Sequence, residues 1–461
     1  MSAPTPGPRT RQTPLPASVL PLLLLLTAAA CTLQGPLETP TDPAVVVPPP
    51  PGWLAEMDAF YDQALRVPGL EDRTFSPELW WEVALPLLEV ERGFRMEEVG
   101  RSAEGRPLRH VAWGEGPVGV LLWSQMHGDE STASMALTDL FRFLGEHPDH
   151  PLVRGLRESI SLHFLPVMNP DGAARFQRRS AHGIDLNRDA RALATPEARA
   201  LKELRDRLEP DFGFNLHDQG VGYRAGNSTR GTAIALLAPP FNQEREVNPV
   251  RRRAMEVAAV MRVALEPYLA GHMARWDDTF NPRAFGDLMT FWGTSTILVE
   301  SGGWEGDPEK QFLRKLNFLG LLAALEVIGD GSYAGVDTAL YSDLPENGRP
   351  IGDLLIAGGT LAVPGLPAIR ADVQVNFRHP LGERGGSVAE VGDLAEVVTR
   401  DTIDAAGLYL VPLEEALQRR GDGGVQVAPG SPAFLSLSRD AEGREVVWEI
   451  RGDVDPERRR P

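Results

Sequence analysis

Cysteine is nearly missing from this chain. Cys31 is the one example in 461 residues, so no disulfide framework supports the fold. Positive charge is also short: 46 lysines and arginines stand against 64 aspartates and glutamates, a formal net charge of -18. A nucleic-acid binder would need the opposite, a basic face that releases counterions from phosphates. Leu15 to Thr27 is apolar but too short for a membrane span. No tandem repeat stands out, which sets repeat architectures aside. What remains is ordinary for a globular protein, 42% hydrophobic and 24% charged. The chain is long enough to bury a full core and to hold two folded units.

The first residues read as an address. Arg9 and Arg11 form a basic start, Leu22 to Leu26 is an unbroken apolar run, and Ala28-Ala29-Ala30-Cys31 follows, so residues 1–31 are expected to be a secretory signal. The small residues before Cys31 resemble a bacterial lipobox, in which the cysteine is lipidated and becomes the mature N-terminus. Ala28 departs from the leucine usual three places before that cysteine. The expectation is a lipid-anchored envelope protein of the periplasm or outer membrane, with a plainly cleaved secreted protein as runner-up. Thr32, where an aspartate would signal inner-membrane retention, favours the outer membrane. Residues 32–52 carry Pro48 to Pro51 in a row and read as an extended linker.

Trp53 to Leu65 and Pro77 to Leu88 have helical spacing, and their aromatic residues, Trp80 and Trp81 among them, fit packing better than binding. Phe94 to Ser102 and Pro107 to Trp113 alternate about Ala103-Glu104-Gly105 and predict a hairpin. Val118 to Trp123 reads as a buried strand, followed by an amphipathic helix over Ser131 to Glu146 with Leu137, Leu140, Phe141 and Leu144 at helical spacing. Ser159 to Met168 reads as a strand that stops at the turn Asn169-Pro170-Asp171-Gly172. Strands at Asp211 to Leu216, Thr232 to Ala238 and Thr296 to Val299 alternate with helices at Pro196 to Leu208, Asn248 to Leu269 and Lys310 to Ile328. That alternation predicts a layered α/β sheet. After Gly329 the composition shifts to short β-like runs broken by glycine and proline: Leu354 to Ile356, Ala371 to Asn376, Val388 to Val391 and Glu445 to Ile450. Residues 53–330 are therefore expected to carry the chemistry, and residues 331–461 to form a small β-rich accessory domain.

Four stretches end in polar residues where a strand terminates: the turn with His127 and Glu130, the loop from Asn169, His217-Asp218, and Glu300-Ser301-Gly302-Gly303. In open α/β sheets the strand ends line the crevice that holds ligands. A catalytic zinc takes three protein ligands and leaves a position open for water. His127, Glu130 and His217 offer two imidazoles and a carboxylate for one Zn²⁺ per chain. A ligating histidine needs its second nitrogen held by a carboxylate or carbonyl, and Asp185 is a candidate for that. Glu300 is left as a general base. Arg178 is a candidate for oxyanion stabilisation, and Arg188, next to Asn187, for two-pronged capture of a substrate carboxylate. Blander readings compete. His163 also lies in a strand, but mid-strand, where a packed, hydrogen-bonded histidine is the better reading. His182 is surface or substrate-facing, and Arg178 with Arg179 can be a solvated pair. Glu300 can be an ion-paired core carboxylate, although an acid after the apolar run Ile297 to Val299 and just before two glycines is expensive to place for packing alone.

His127-Gly128-Asp129-Glu130, Asn169-Pro170-Asp171-Gly172, Gly183-Ile184-Asp185-Leu186-Asn187-Arg188, His217 and Glu300, in that order, resemble the zinc metallocarboxypeptidases related to carboxypeptidase A, over about Phe94 to Ile328. The resemblance implies a three-layer α/β/α sandwich around a mixed sheet. It implies zinc on His127, Glu130 and His217, Glu300 as base, and the terminal carboxylate of a peptide on Asn187 and Arg188. It also implies Arg178 as the oxyanion arginine, with Arg179 in reserve, and Asp185 as the support of the first histidine. One departure is plain. The larger digestive members carry a tyrosine on a mobile loop before the catalytic glutamate, where this chain has Trp276-Asp277-Asp278-Thr279-Phe280; Tyr223 is a substitute only. The tail, at Asp353 to Thr360, Ala371-Asp372-Val373 and Asp404 to Pro412, resembles the small β-domain of amidohydrolases. The His-x-His metal motif that follows there is replaced by Leu413-Glu414-Glu415-Ala416, so no second metal is expected.

Three functions follow as expectations. The first is a zinc-dependent peptidase that hydrolyses an amide next to a free carboxylate. The second keeps the site and changes the substrate to a cell-wall peptide, cut at a γ-glutamyl-diaminopimelate bond, or to an acylated amino acid. The third is a non-catalytic binding lipoprotein, against which the intact His127, Glu130, His217 and Glu300 argue.

Overall fold

Cap chemistry written in the sequence starts several of the helices, the 13-residue Pro196–Leu208 and the 21-residue Pro249–Leu269 among them. Ser76, Thr195 and Asn248 each accept a backbone N–H three residues on, and each is followed by proline, whose missing N–H would be unpaired in a first turn anyway. The computed structural model describes residues 48–348, 351–379 and 383–454. Cys31, the signal and most of the linker lie outside these residues. Among the described residues no helix is long and apolar enough to cross a membrane.

The chain opens with helices α1 (Leu54–Phe60) and α2 (Pro77–Ala84) and the hairpin β1 (Phe94–Arg101) and β2 (Pro107–Trp113). Then come β3 (Val118–Ser124), α3 (Thr132–Glu146), α4 (Pro151–Ser159), β4 (Ile160–Leu165), the short α5 (Pro170–Ala173), α6 (Pro196–Leu208) and β5 (Phe212–Asp218). After β6 (Arg224–Ala225) and β7 (Ile234–Leu237) follow α7 (Pro249–Leu269), β8 (Met273–Arg275), α8 (Phe285–Phe291), β9 (Ser295–Ser301), α9 (Gln311–Asp330) and α10 (Ala339–Ser342). The expected strand from Ser159 to Met168 is shorter than the sequence suggested. Ser159 ends α4, and α4 and α8 are each too short for a helical period of apolar residues to show in the sequence.

Eight strands form one sheet in the order β1-β2-β4-β3-β5-β9-β7-β8. β4, β3, β5 and β9 run parallel at its centre, and antiparallel pairs flank them, so the sheet is mixed. Alternate strand residues face opposite sides. Val120, Leu122, Phe212, Phe214, Ile297 and Val299 pack with the apolar faces of α3, α7 and α9. Leu121 and Trp123 face the other way, onto α6 and α8 through Leu201, Leu204, Phe285 and Met289. Helices on both faces of a mixed sheet make the α/β/α architecture, and the C-terminal ends of the central strands open along one edge.

The C-terminal region is β-rich. A four-stranded sheet joins β11 (Gly352–Ala357), β14 (Asp372–His379), β15 (Arg384–Gly392) and β16 (Thr399–Asp404). A five-stranded sheet joins β12 (Thr360–Leu361), β13 (Ile369–Arg370), β17 (Tyr409–Pro412), β20 (Phe434–Ser438) and β21 (Val446–Arg451), and β18 (Gln418–Arg419) and β19 (Val425–Gln426) form a small hairpin between them in sequence. Leu354, Ile356, Val375, Leu410, Leu435 and Trp448 share a core separate from that of the large sheet. The segment leading into this region is paired to the first: β10 (Asn347–Gly348) runs antiparallel to β6, and Asn347 Nδ2 donates to Gln219 Oε1 at 2.6 Å.

Candidate functional site

β3 ends at Ser124, and the chain turns through Gln125, whose φ of 52° is left-handed. Burial of Gln125 holds the turn: its Nε2 donates to the Gly128 carbonyl at 3.1 Å and its Oε1 accepts from Ser134 Oγ at 3.2 Å. Gly128 packs backbone to backbone on the next loop. A Cβ there would stand 2.1 Å from the Gly172 carbonyl carbon, so only glycine fits. Asn169 fastens the same two segments. Its Oδ1 accepts the Gly172 N–H at 2.9 Å, and its Nδ2 donates to the carbonyls of Met126 at 3.2 Å and Arg178 at 3.3 Å. Asp171 ties this loop to the β1–β2 hairpin through Ser102, Glu104 and Arg106.

That scaffold brings three distant side chains to one point. Glu130 spans both imidazoles, with Oε1 2.7 Å from His127 Nδ1 and Oε2 2.6 Å from His217 Nδ1. One ligand atom from each of the three lies within 4.8 Å of the others, and all three residues are buried; among the described residues this is the one such cluster. Two Nδ1 atoms and a carboxylate converging on one point fit the nitrogen and oxygen preference of zinc. The far nitrogen of His127, Nε2, meets Asp185 Oδ1 at 2.9 Å, and that of His217 lies 3.4 Å from Asn187 Nδ2. Arg178 joins from the rim, donating to Glu130 Oε1 and to Asp185 Oδ2, each at 3.0 Å, with its side chain 44% exposed. Arg179 instead donates to the Gly183 carbonyl and is exposed.

The charges set the protonation. Burial works against a charged His127, but Glu130 and Asp185 outweigh it and lift the imidazole to about 9. Burial also opposes the Glu130 and Asp185 carboxylates, yet the imidazoles, and Arg178 beside Asp185, hold both well below the usual range. Burial depresses His217. Glu300 lies beside His217 in the parallel register of β5 and β9 and is 7% exposed. Burial, reinforced by the negative charge of Glu130, pushes it well above the ordinary glutamate value.

Asn187 and Arg188 sit on a single helical turn below this cluster. Asn187 is buried, and its Oδ1 accepts the Phe285 N–H at 2.9 Å. Arg188 is half-buried and donates to the Asn187 carbonyl at 2.6 Å. His163 lies elsewhere in the sheet: its Nδ1 is 3.0 Å from His110 Nε2, and the two rings stack. His182 is exposed. Tyr223 packs on Trp276, ring centroids 5.5 Å apart, so the loop that lacks the expected tyrosine touches one from another loop.

Sequence reasoning missed three residues. Asp218 Oδ2 accepts from Thr132 Oγ1 at 2.7 Å and Arg73 at 3.1 Å and lies 3.2 Å from Lys310 Nζ, while the Asp218 N–H donates to Glu130 Oε2 at 3.2 Å. Lys310, 1% exposed, also donates to the Ser301 carbonyl at 2.8 Å. It therefore clasps the residue after His217 to the residue after Glu300. Asp218 had a signal, its place directly after His217; Arg73 and Lys310 had none.

Residues 90–231 match the family model described as zinc carboxypeptidase. The chain is 30% identical over 129 residues to an uncharacterized protein of Zymomonas mobilis, covering 27% of this chain and 34% of that protein. It is 29% identical over 102 residues to Carboxypeptidase SOL1 of Arabidopsis thaliana, covering 21% of each. It is 32% identical over 107 residues to Probable carboxypeptidase 2 of Arthroderma benhamiae, covering 23% of this chain and 20% of that one. The chain thus spans between a fifth and about a third of the length of these relatives. A crystal structure of a metallo-carboxypeptidase from Burkholderia cenocepacia superposes with a TM-score of 0.44 at 19% identity, covering 56% of this chain and 70% of that one.

Proposed function

We propose, on the premise that residues 90–231 of this chain form a zinc carboxypeptidase family domain, that the protein is a zinc-dependent peptidase releasing residues from the C-terminal ends of peptides. The observation that carries this reading is the convergence of His127, Glu130 and His217, with Glu300 beside His217 across the strands. Zinc held by those three residues would supply a Lewis acid that acidifies water and polarises a carbonyl. The chain's own residues do the rest. Glu300, buried and raised, takes the proton of the attacking water and returns it to the leaving amine. Arg178, half-exposed at the rim, meets the charge that develops on the carbonyl oxygen. Asn187 and Arg188 receive the substrate's terminal carboxylate, Arg188 through its two-pronged guanidinium. Asp185 keeps His127 oriented.

Glu300→Gln tests the assignment, because the amide keeps shape and loses basicity. The expected result is a fall in kcat of roughly a hundredfold to ten-thousandfold, with one zinc per chain retained by elemental analysis. Full turnover in that variant would end the reading.

The leader carries a second, narrower proposal. The sequence Ala28 to Cys31 supports lipidation at Cys31 and an envelope location, periplasmic or outer-membrane, where cell-wall peptides are the substrate proposed beside ordinary ones. Mass spectrometry of the mature N-terminus, with Cys31→Ser as the control, tests the anchor. Muropeptides offered beside N-blocked dipeptides test the substrate. We assign residues 331–461 an accessory role without a metal of their own.

A further inference from the structure

β5 carries two polar side chains on the face that holds His217. The second is Asn215, two residues earlier, because alternate residues of a strand share a face. Asn215 is completely buried, and neither its Nδ2 nor its Oδ1 has a hydrogen-bond partner. Buried carboxamides are almost always paired, and leucine would fill the same volume without the desolvation cost. The neighbourhood repeats the pattern. Strand register sets Asn215 beside Trp123, whose indole Nε1 is also unpartnered, and beside Leu298. Across from it is Gly286, where a Cβ would stand 3.5 Å from Asn215 Nδ2 and 3.2 Å from Pro239. Gly286 follows Phe285, whose N–H holds Asn187, and Asn187 faces His217. The contacts run in a ring along the sheet, from His217 through Asn187 and Gly286 to Asn215.

We propose that Asn215 reads the side chain of the residue being released, and that the enzyme prefers a C-terminal residue with a neutral hydrogen-bonding side chain. This rests on the carboxypeptidase reading. With the terminal carboxylate on Asn187 and Arg188, the last side chain of the substrate enters between Gly286 and Leu298 and meets the unpaired donor and acceptor of Asn215. Leu298, Pro239 and Trp123 offer nothing to neutralise a charge, so a charged terminus is disfavoured there. A site that must hydrogen-bond its substrate rejects an apolar isostere strongly, because its own buried groups are then left unpaired.

The test compares N-blocked dipeptides that differ only in an isosteric last residue, asparagine or leucine, on the zinc-loaded full chain. Wild type should favour asparagine at least tenfold in kcat/KM, and Asn215→Leu should abolish or invert that ratio at unchanged zinc content. Gly286→Ala, which sets a methyl against the Asn215 amide, should shrink the preference while leaving Asn215 in place, and it decides the matter if Asn215→Leu does not fold. Calorimetric binding of N-acetyl-asparagine and N-acetyl-leucine to wild type should show the same order without turnover. A wild-type ratio favouring leucine overturns the proposal. So does a ratio unmoved by both substitutions, even if the melting temperature changes, because Asn215 then serves only a buried water. If peptides are hydrolysed with no asparagine preference, only this inference falls; if no C-terminal residue is released from any peptide, the carboxypeptidase reading falls and takes it along.

Discussion

His127 holds a proton that a metal must displace. Its imidazole is lifted to about 9 by Glu130 and Asp185 against the effect of burial, so at pH 7 the metal-free side chain is charged. A cation needs the nitrogen lone pair, and binding therefore releases that proton. The sign follows: a folded value raised above the ordinary histidine range favours the protonated site until the pH rises through about 9, so zinc affinity should climb with pH up to that point. Titration calorimetry at pH 7, in buffers of different ionisation enthalpy, should report about one proton released per zinc bound. An apparent enthalpy indifferent to the buffer would refute this protonation state. The same crowding explains Glu300. Water is excluded there and a second carboxylate is close, so the proton is held more tightly than by an exposed glutamate.

At the scale of elements, the site depends on two segments in backbone contact. The turn after β3 and the short α5 touch at Gly128 and Gly172, and the Asn169 side chain laces them together. Gly128→Ala would drive a methyl group into the Gly172 carbonyl carbon, 2.1 Å away, and backbone cannot rotate aside as a side chain can. The expected cost is about 1–3 kcal/mol by chemical denaturation, together with a loss of zinc stoichiometry, because His127 rides on the displaced turn. Unchanged stability and full zinc occupancy in this variant would show that the two segments have slack. The Asn-Pro-Asp-Gly turn was conspicuous in the sequence, but its purpose was not. The turn chemistry is local, whereas the partners of Asn169 and Asp171 lie on other segments.

Across the whole molecule, one buried ion pair sews the N-terminal segment to two helices. Arg314 of α9 and Asp139 of α3 are both 0% exposed and meet at 2.6 Å and 2.7 Å. Asp139 also accepts from the Tyr61 hydroxyl and the Val67 N–H, and Arg314 donates to the carbonyls of Val67 and Leu70. Arg314→Leu alone leaves a stranded carboxylate and should cost about 3–5 kcal/mol in denaturant unfolding. Pairing it with Asp139→Leu should recover part of that, since no unpaired charge then stays inside. A single substitution that costs less than about 1 kcal/mol would mean that water reaches Asp139.

Strand and helix alternation in the large sheet, the β-rich tail, and the residues that gather as His127, Glu130 and His217, with Glu300 alongside, are readable in the order of residues. Those were legible because each is announced locally: an apolar run stops, and a metal-binding or acidic residue stands at its end. The sequence separated Arg178 from Arg179 only by resemblance, and the geometry then set Arg178 against Glu130 and left Arg179 outside. Tertiary structure alone decided that Lys310 and Arg73 close on Asp218, that Tyr223 meets Trp276, and that Asn215 is sealed in with its amide unpaired. The physical reason is the same in each case. Whether a polar side chain is paired, stranded or shared depends on strand register and helix docking between segments far apart in the chain, and no local pattern of residues encodes that distance.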